Sequence, residues 1–346
     1  MKSKTILVTG CSGFVAEHLI PILKKEYIVI GIDRKDCKLD LDFFIKADLN
    51  NTKNYKNLLT NVDTIIHLAA ARADWGISRE EFYKDNVDAS RSIISVGHNA
   101  GIKNWIFVSS VSTMPQNTNE LLDEAAPFQP INDYGYSKME AENEFNNLFT
   151  SNNNISLSII RPTVLYGPSN PHYTGIYRAV DNNIFRLIDG IYNRRFMIVG
   201  NGKTIKSTAY VKNFVDSILH LLKNNNSYRS KLYVYADEPP KTTLELVKYI
   251  RKYLNKKGNG LMLPYFFIAP LGLIGDFISI IMKINIPITS ARIQTFNRPT
   301  NFRPSLLKNE DFHQRYSTVD GLKETVDWYN QLIKDRKGNF FLFKKD

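Results

Sequence analysis

Residues 5–20 read TILVTGCSGFVAEHLI, and this stretch decides the fold. An apolar run of strand type leads directly into Gly10 and Gly13, with Ala16 at the third small position of the turn. This Gly-x-x-Gly-x-x-Ala spacing lets the backbone approach a pyrophosphate at the N-terminus of a helix, where the helix dipole favours negative charge. The stretch therefore predicts a strand, a tight turn and a helix that together bind a dinucleotide.

The same rhythm continues through the first half of the chain. Apolar runs alternate with amphipathic stretches at 12–25, 79–100 and 133–150, and these runs read TILVTG, YIVIGID, DTIIHLAA, NWIFVSS and SLSIIRP. Strands that alternate with helices of ten or more residues predict an α/β fold with a doubly wound parallel sheet of the Rossmann type. After residue 168 the rhythm loosens, so we expect a nucleotide-binding domain at 1–168 and a smaller, mixed substrate-binding part at 169–346.

Composition narrows the class of protein. The chain has 346 residues, 43% of them hydrophobic, and a formal net charge of +11. Its basic residues are scattered instead of forming a stripe, which favours a small anionic substrate over nucleic acid. Cys11 and Cys37 have no metal-ligand spacing, so we expect no metal site and a reducing compartment. The first apolar run ends at Gly10, too soon for an export signal, and we expect a cytoplasmic protein.

The segment LMLPYFFIAPLGLIGDFISIIM at 261–282 has three interpretations. It is long enough to be tested as a membrane span, but Pro264, Pro270 and Asp276 interrupt it. A buried helix pair is the interpretation that these interruptions favour. Peripheral contact with a membrane, helped by nearby lysines, is the alternative, and a true span is the third.

The nature of the cofactor depends on the end of the second apolar run. Asp33 follows Gly13 by about 20 residues, where a carboxylate can accept hydrogen bonds from the hydroxyls of the adenosine ribose. This position favours NAD(H). Arg34 is adjacent, and its guanidinium could instead receive a 2'-phosphate, so NADP(H) stays an alternative.

Residues 134–138 read YGYSK and offer two tyrosines to one lysine. On a helix, residues four apart lie on one face while residues two apart point to different sides, so Lys138 can support Tyr134 but not Tyr136. A nearby ammonium favours the phenolate and lowers the pKa of a tyrosine from about 10 towards neutral pH. The spacing therefore predicts that Tyr134 is an acid/base group.

These pieces, taken in order, resemble the extended short-chain dehydrogenases/reductases of the nucleotide-sugar epimerase, dehydratase and reductase superfamily. The motifs that carry the resemblance are TGCSGFVA at 9, ADL at 47, HLAA at 67, NV at 86, FVSS at 107, YGYSK at 134, RPTVLYGP at 161, GNGKTIKSTAYV at 200 and STVDGLKETVDWY at 317. The resemblance implies that the cofactor is held by Gly10, Ser12, Gly13, Phe14, Val15, Asp33, Arg34, Asp48, Leu49, Leu68, Ala69, Ala70, Tyr134 and Lys138.

The same resemblance completes a catalytic trio. Relatives carry a Ser or Thr at the end of the fifth strand, and counting back from Thr113 places it at Ser110, with Ser109 as its structural neighbour. Ser110 would then hydrogen-bond the substrate oxygen whose proton Tyr134 transfers, and Lys138 would hold the nicotinamide ribose. The substrate residues implied are Ser110, Arg161, Arg195 and Lys206.

Departures from the family pattern indicate the reaction. The 4,6-dehydratases carry a Thr-Asp-Glu run where this chain has Ser110, Val111 and Ser112, and valine cannot do acid/base chemistry. Many epimerases and dehydratases have an Asn near the position of Val164. We therefore predict a reductase of a nucleotide-linked 4-keto-6-deoxy sugar, such as dTDP-4-dehydro-6-deoxyglucose, in the synthesis of surface polysaccharide precursors. We also expect a homodimer.

Three other functions stay open. A UDP-hexose 4-epimerase would use the same trio, and a membrane-associated hydroxysteroid-type dehydrogenase would use the apolar 261–282 segment. A non-catalytic relative that kept the fold as a sensor or scaffold would have no need of Ser110, Tyr134 and Lys138 together.

Overall fold

A computed structural model describes residues 4–72, 77–116, 118–150, 154–169, 183–224, 230–268, 270, 276 and 298–335. Its strands are β1 (Thr5–Thr9), β2 (Ile28–Asp33), β3 (Phe43–Lys46), β4 (Thr64–His67), β5 (Asn104–Val108), β6 (Ser156–Pro162), β7 (Val164–Tyr166), β8 (Met197–Val199), β9 (Ile205–Lys206), β10 (Thr208–Tyr210), β11 (Ser230–Tyr235), β12 (Lys241–Thr242) and β13 (Leu261–Leu263). Its α-helices are α1 (Phe14–Leu23), α2 (Arg79–Phe82), α3 (Ala89–Asn99), α4 (Asp133–Thr150), α5 (Asn183–Tyr192), α6 (Val211–Asn224), α7 (Thr243–Tyr253), α8 (Ser305–Asn309) and α9 (Thr318–Asp335).

Seven of these strands form the parallel sheet that the sequence predicted. Their order is β11-β6-β5-β4-β1-β2-β3, and every neighbouring pair is parallel. The order reverses between β1 and β4, and a doubly wound sheet binds its ligand outside the carboxyl ends of the strands at this point. The predicted Rossmann-type fold is confirmed.

Two apolar layers cover the faces of this sheet. On one face Ile93 of α3 and Phe145 of α4 pack against Leu7 and Trp105. On the other face α1 and α6 pack against the alternate strand residues. Parallel strands buried on both faces need continuous apolar runs, and this requirement explains the Val- and Ile-rich composition of β1, β2 and β4.

The second half of the chain is divided between two places. Helices α5, α7 and α9 share a separate apolar cluster with Tyr166 and Tyr210. Residues 211–235, however, return to the main sheet, where α6 packs beside α1 and β11 extends the edge next to β6. The substrate-binding part that we predicted to begin at 169 therefore shares this stretch with the nucleotide-binding part.

Two features of the fold were absent from the sequence-based prediction. Strand β3 forms the far edge of the sheet; it is only four residues long and follows β2 without an intervening helix, so the alternation of strands and helices did not indicate it. Between α2 and α3 the chain makes a π-helical turn, Tyr83–Asp88, which widens the predicted 79–100 helix.

Among the described residues, none of the helices has the length and apolarity that crossing a bilayer requires. Most of the 261–282 segment lies outside the described residues.

Candidate active site

The predicted cofactor and catalytic residues meet at the carboxyl ends of the strands of the main sheet. Gly10 follows β1, Asp33 ends β2, and Ser110 lies two residues beyond the end of β5. Because the strands are parallel, their carboxyl ends open on the same side of the sheet. The fold therefore brings together residues that are up to about 100 positions apart in the chain.

Gly10 makes the turn that a pyrophosphate would approach. Its φ of +70° is in the left-handed region, and a Cβ at this position would lie 2.8 Å from the backbone N and Cα of Ala69. Helix α1 begins just after Gly13, whose lack of a side chain leaves the first-turn N–H groups without a side-chain cap. A cradle closed to side chains and lined by amide donors fits a dinucleotide phosphate group.

The carboxylate of Asp33 lies between this turn and the end of β2. It accepts hydrogen bonds from the backbone N and the hydroxyl of Ser12, at 3.0 and 2.7 Å, and from the backbone N of Lys35 at 2.9 Å. Carboxylate oxygens can accept more than one hydrogen bond each, so ribose hydroxyls can still be accommodated. Asp33 therefore also fixes the turn that carries Ser12.

Arg34 is engaged elsewhere. Its guanidinium forms a two-pronged ion pair with the carboxylate of Asp85, with N to O distances of 3.0 and 2.5 Å. The hydrogen bond with Asp85 is the main cause that raises the pKa of Arg34. A guanidinium held in this way is a poor receptor for a 2'-phosphate, so the geometry favours NAD(H) over NADP(H).

The other residues of the predicted cofactor site have less specific environments. The rings of Phe14 and His18 pack edge-on with centroids 5.5 Å apart. Val15, also on α1, packs against the apolar layer between α1, α6 and the sheet. The Asp48 carboxylate accepts a hydrogen bond from the backbone N of Asn50, and the side chain of Leu49 is buried. These contacts are compatible with cofactor binding, and the roles of the four residues stay predictions.

The loop after β4 is tied to both the cofactor turn and helix α4. The backbone N of Leu68 donates to the carbonyl of Thr9, and that of Ala71 donates to the side chain of Asn86 at 2.7 Å. Asn86 is buried on the π-helical turn and also donates to the hydroxyl of Ser137 at 2.8 Å. Asn86 is thus a positioning residue, and its sequence signal was the short NV match at 86.

A close approach between helix α4 and the turn after β5 brings Ser110 to Tyr134. A Cβ at Gly135 would overlap the carbonyl oxygen of Ser112, so glycine is required for this contact. Tyr134 is half-buried and packs against Phe82 with ring centroids 5.9 Å apart, whereas Tyr136 is 42% exposed. The helix therefore turns Tyr134, and not Tyr136, towards the carboxyl ends of the strands, as the spacing predicted.

The electrostatics of the phenol differ from those predicted. Burial raises the pKa of Tyr134, and the charge of Arg72 and a hydrogen bond with Ser110 act against this rise. We expected Lys138 to lower this pKa, but its ammonium is turned to the carbonyl of Val108 at 2.8 Å. Arg72, in the loop after β4, is the cation that favours the phenolate, and sequence reasoning missed it because it belongs to no motif.

Lys138 itself is strongly perturbed. Its side chain is 2% exposed, and its ammonium lies 4.2 Å from the centre of the Phe107 ring. Burial lowers the pKa of Lys138 to about 7, and the charge of Glu142 opposes this shift. A lysine with such a pKa loses much of its charge near neutral pH, unless a bound ligand stabilises the ammonium.

Arg161 occupies a place that the sequence-based prediction did not foresee. Its guanidinium is 2% exposed and pairs with the carboxylate of Glu142, at 2.7 Å for the shortest contact. The hydroxyl of Ser109 donates to the same carboxylate, and the ring of Phe128 lies 4.7 Å from the guanidinium carbon. This pairing joins β5, β6 and α4. It indicates a positioning role for Arg161 in place of the predicted substrate contact.

The two other predicted substrate cations lie in the second half of the chain. Lys206 donates to the carbonyl of Arg298 at 2.5 Å, and burial is the main cause that lowers its pKa to about 8. Segment 298–303 continues from there to the loop after Ser110, because Leu122 exchanges backbone hydrogen bonds with Asn301 and Arg303. The segment that begins beside Lys206 is therefore bonded to the loop that follows Ser110. Arg195 is exposed before β8.

Comparison with known proteins decides the family. The sequence profile of the NAD dependent epimerase/dehydratase family matches residues 6–235. The chain belongs to this family. The match confirms the predicted superfamily, an NAD-dependent enzyme and the nicotinamide cofactor. Within the described part of the chain, no group of three or more His, Cys, Asp or Glu residues could hold a metal ion.

Individual relatives agree with the family. An N-acetyl-alpha-D-glucosaminyl-diphospho-ditrans,octacis-undecaprenol 4-epimerase of Escherichia coli O157:H7 is 30% identical over 328 residues, which cover 93% of this chain and 94% of the relative. A dTDP-D-glucose 4,6-dehydratase of Bos taurus is 24% identical and covers 97% of this chain and 91% of its own.

A solved UDP-glucuronic acid 4-epimerase of Bacillus cereus in complex with NAD superposes with a TM-score of 0.71 at 20% identity, and the match covers 95% of this chain and 99% of that one. The protein therefore shares the fold of that solved epimerase along almost its whole length.

Proposed function

We propose that the protein is a 4-epimerase of a hexose attached to a diphosphate. The observation that carries this proposal is the convergence of Ser110, Tyr134 and Lys138 at the carboxyl ends of the strands, where the cofactor turn also lies. The turn after Ser110 continues with Val111 and Ser112, which have no carboxyl group for the removal of water. Oxidation and reduction at one carbon need no such group.

Each protein residue has a defined task in this reaction. NAD, when bound, supplies reversible two-electron oxidation of the carbinol carbon. The Tyr134 phenolate takes the proton from the substrate hydroxyl, and the phenol so formed returns it in the reverse step, while the Ser110 hydroxyl donates a hydrogen bond to the same oxygen. Arg72 favours the phenolate form of Tyr134, which the first proton transfer needs.

The diphosphate requires cations in the second half of the site. The ammonium of Lys206 bonds to the backbone carbonyl of Arg298, and the charge of Arg298 contributes to the lowered pKa of Lys206; segment 298–303 then leads to the loop after Ser110. Two adjacent positive groups are suited to bind a diphosphate, and Coulomb attraction between opposite charges is strong where burial excludes water. The pKa of Lys206, which burial lowers to about 8, would rise again beside an anion.

The relative of 30% identity supports epimerisation over the reduction that the sequence predicted, because it is named as a 4-epimerase of a diphosphate-linked sugar. In the substrate of this protein, the group attached to the other end of the diphosphate is then a nucleoside, as the sequence predicted, or a polyprenol, as in the name of that relative. The trio and the cation pair serve both carriers equally.

Two incubations test the proposal. Purified protein with catalytic NAD receives UDP-galactose, UDP-N-acetylglucosamine or N-acetylglucosaminyl-diphospho-undecaprenol, and the products are hydrolysed and separated by chromatography. A second incubation contains a 4-keto-6-deoxy nucleotide sugar with stoichiometric NADH. We expect interconversion of 4-epimers in the first and no net loss of NADH in the second. Stoichiometric NADH oxidation without epimerisation would establish the reductase and refute the proposal.

A further inference from the structure

Exposed apolar side chains lie on the paired strands β8 and β13 and on residues 265–267, which follow β13. Phe266 is 66% exposed and Phe267 is 60% exposed, and their ring centroids are 3.9 Å apart. These two residues, together with the exposed side chains of Tyr265, Leu261 and Met197, which is paired with Leu261, make up what we call the aromatic surface. Adjacent exposed aromatic and aliphatic side chains of this number mark an interaction surface.

Cations border this surface on one side. Arg194 and Arg195 precede β8, Lys256 and Lys257 precede β13, and the two strands are parallel with Met197 opposite Leu261. The four cations therefore lie at the same end of the strand pair. The ammonium of Lys256 lies 5.2 Å from the centre of the Tyr192 ring, which brings the two basic loops into contact.

The charge distribution identifies the occupant. Residues 192–199 and 255–268 contain four Lys or Arg residues and neither Asp nor Glu. The same two stretches on a second copy of the chain contain no carboxylate that would pair with these cations. An anionic lipid surface instead offers phosphate groups to the cations and an interfacial region to the aromatic rings.

We infer that the aromatic surface docks the protein on the surface of an anionic membrane. Phenylalanine and tyrosine side chains enter the interface between headgroups and acyl chains, and the four cations contact lipid phosphates. The protein then binds reversibly, as a peripheral protein.

The docking surface is close to the diphosphate cations. Leu263 pairs with Val199, and seven residues lead from Val199 to Lys206, a path of at most about 25 Å of extended chain. A diphosphate whose carrier stays in the bilayer could therefore reach the site of a docked enzyme. This consequence rests on the proposed function, whereas docking itself does not.

Vesicle flotation tests the inference. Full-length protein is mixed with vesicles of phosphatidylglycerol and phosphatidylethanolamine, or of phosphatidylcholine alone, and the bound fraction is measured. The test variant is Phe266→Ser/Phe267→Ser, and the matched control is Phe43→Ser, since Phe43 is 65% exposed on the edge strand β3. A third variant, Lys256→Gln/Lys257→Gln, tests the cations.

We expect the wild type and Phe43→Ser to bind anionic vesicles equally and the double Phe variant to bind at least tenfold less. The lysine variant should lose several-fold at low salt and differ little from wild type at 0.5 M NaCl, because salt screens its contribution. Far-UV circular dichroism and turnover of a water-soluble nucleotide sugar confirm that the variants are folded.

Docking would be overturned if the wild type did not bind anionic vesicles or if the double Phe variant bound them equally well. It would also be overturned if the wild type were a dimer that did not bind vesicles and the double Phe variant were a monomer. The last result would identify the surface as an interface between copies. Absence of epimerase activity would refute the proposed function and leave the flotation result unaffected.

Discussion

The ammonium of Lys138 donates a hydrogen bond to the carbonyl oxygen of Val108 at 2.8 Å. Val108 is the last residue of β5, two positions before Ser110, and Lys138 lies one helical turn after Tyr134. This contact fixes the helix that carries the tyrosine to the strand that carries the serine. In the proposed reaction, the alignment of Tyr134 with the substrate oxygen therefore depends on Lys138 as well as on Ser110 and Tyr134 themselves.

Tyr134→Phe should lower turnover by about 10²- to 10⁴-fold, the usual contribution of a positioned acid/base group, because the variant removes the phenolic hydroxyl and keeps the ring. Cofactor affinity, measured by fluorescence titration, should stay within about twofold of wild type. The matched control is Tyr136→Phe, which changes an exposed tyrosine of the same helix and should leave turnover unchanged. A loss below about tenfold in Tyr134→Phe would mean that another group transfers the proton.

Lys138→Met should differ from Tyr134→Phe in its kinetic signature. Methionine keeps a long, unbranched buried side chain but removes the ammonium that contacts the Phe107 ring, donates to Val108 and is expected to hold the nicotinamide ribose. We expect both turnover and cofactor affinity to fall by about tenfold or more. Unchanged affinity in the same fluorescence titration would restrict Lys138 to alignment of the helix.

Selectivity for NAD over NADP should depend on two carboxylates. Asp33→Ala removes the acceptor at the end of β2 and loosens the Ser12 turn, so NAD affinity should fall by about tenfold. Adding Asp85→Asn releases Arg34 from its ion pair, and NADP affinity should then rise relative to NAD. The measurement is the ratio of the two Kd values in wild type, single and double variants. A ratio that stays constant in all three would remove Asp33 from the cofactor site.

The buried pair of Arg161 and Glu142 should matter more for stability than any surface pair. Arg161→Met leaves the Glu142 carboxylate buried without its partner, and the free energy of unfolding should fall by about 3–5 kcal/mol. Arg91→Met, at the exposed pair of Arg91 and Glu144, should cost less than about 1 kcal/mol. Urea unfolding measures both. Equal costs would show that the buried pair tolerates separation, and a double Arg161→Met/Glu142→Leu variant should recover part of the loss.

Acid should destabilise the protein through His67. Burial is the main cause that lowers the pKa of His67 to about 3, and the charge of Lys138 adds to the shift. Between pH 6.5 and 3 the unfolded chain binds a proton that the folded protein excludes, so this group removes about 1.4 kcal/mol of stability for each unit by which pH falls. Urea unfolding at pH 7, 6 and 5 should therefore show a steeper loss for wild type than for His67→Gln.

His98→Gln, which changes an exposed histidine on α3, serves as the control for this pH series. Its stability should follow that of wild type at every pH. If His67→Gln also followed wild type, the buried imidazole would not be the group that couples folding to acid.

The sequence by itself determined the sheet and its cofactor turn. Continuous apolar runs and the glycine spacing after β1 are local signals, since they depend on residues that are neighbours in the chain. The choice of Tyr134 over Tyr136 was also local, because helical periodicity alone separates the two faces. Strand β3 escaped prediction because it is short and follows β2 without a helix between them, which places it outside the alternation of strands and helices.

Tertiary structure decided the partners of the charged residues. Arg161 pairs with Glu142, Arg34 with Asp85 and Lys138 with the Val108 carbonyl. Arg72 acts on Tyr134 across 62 positions of sequence. Each of these contacts joins elements whose relative placement follows from the strand order, which no local pattern specifies. A charge acts through distance and burial, and both quantities exist only once the chain has folded.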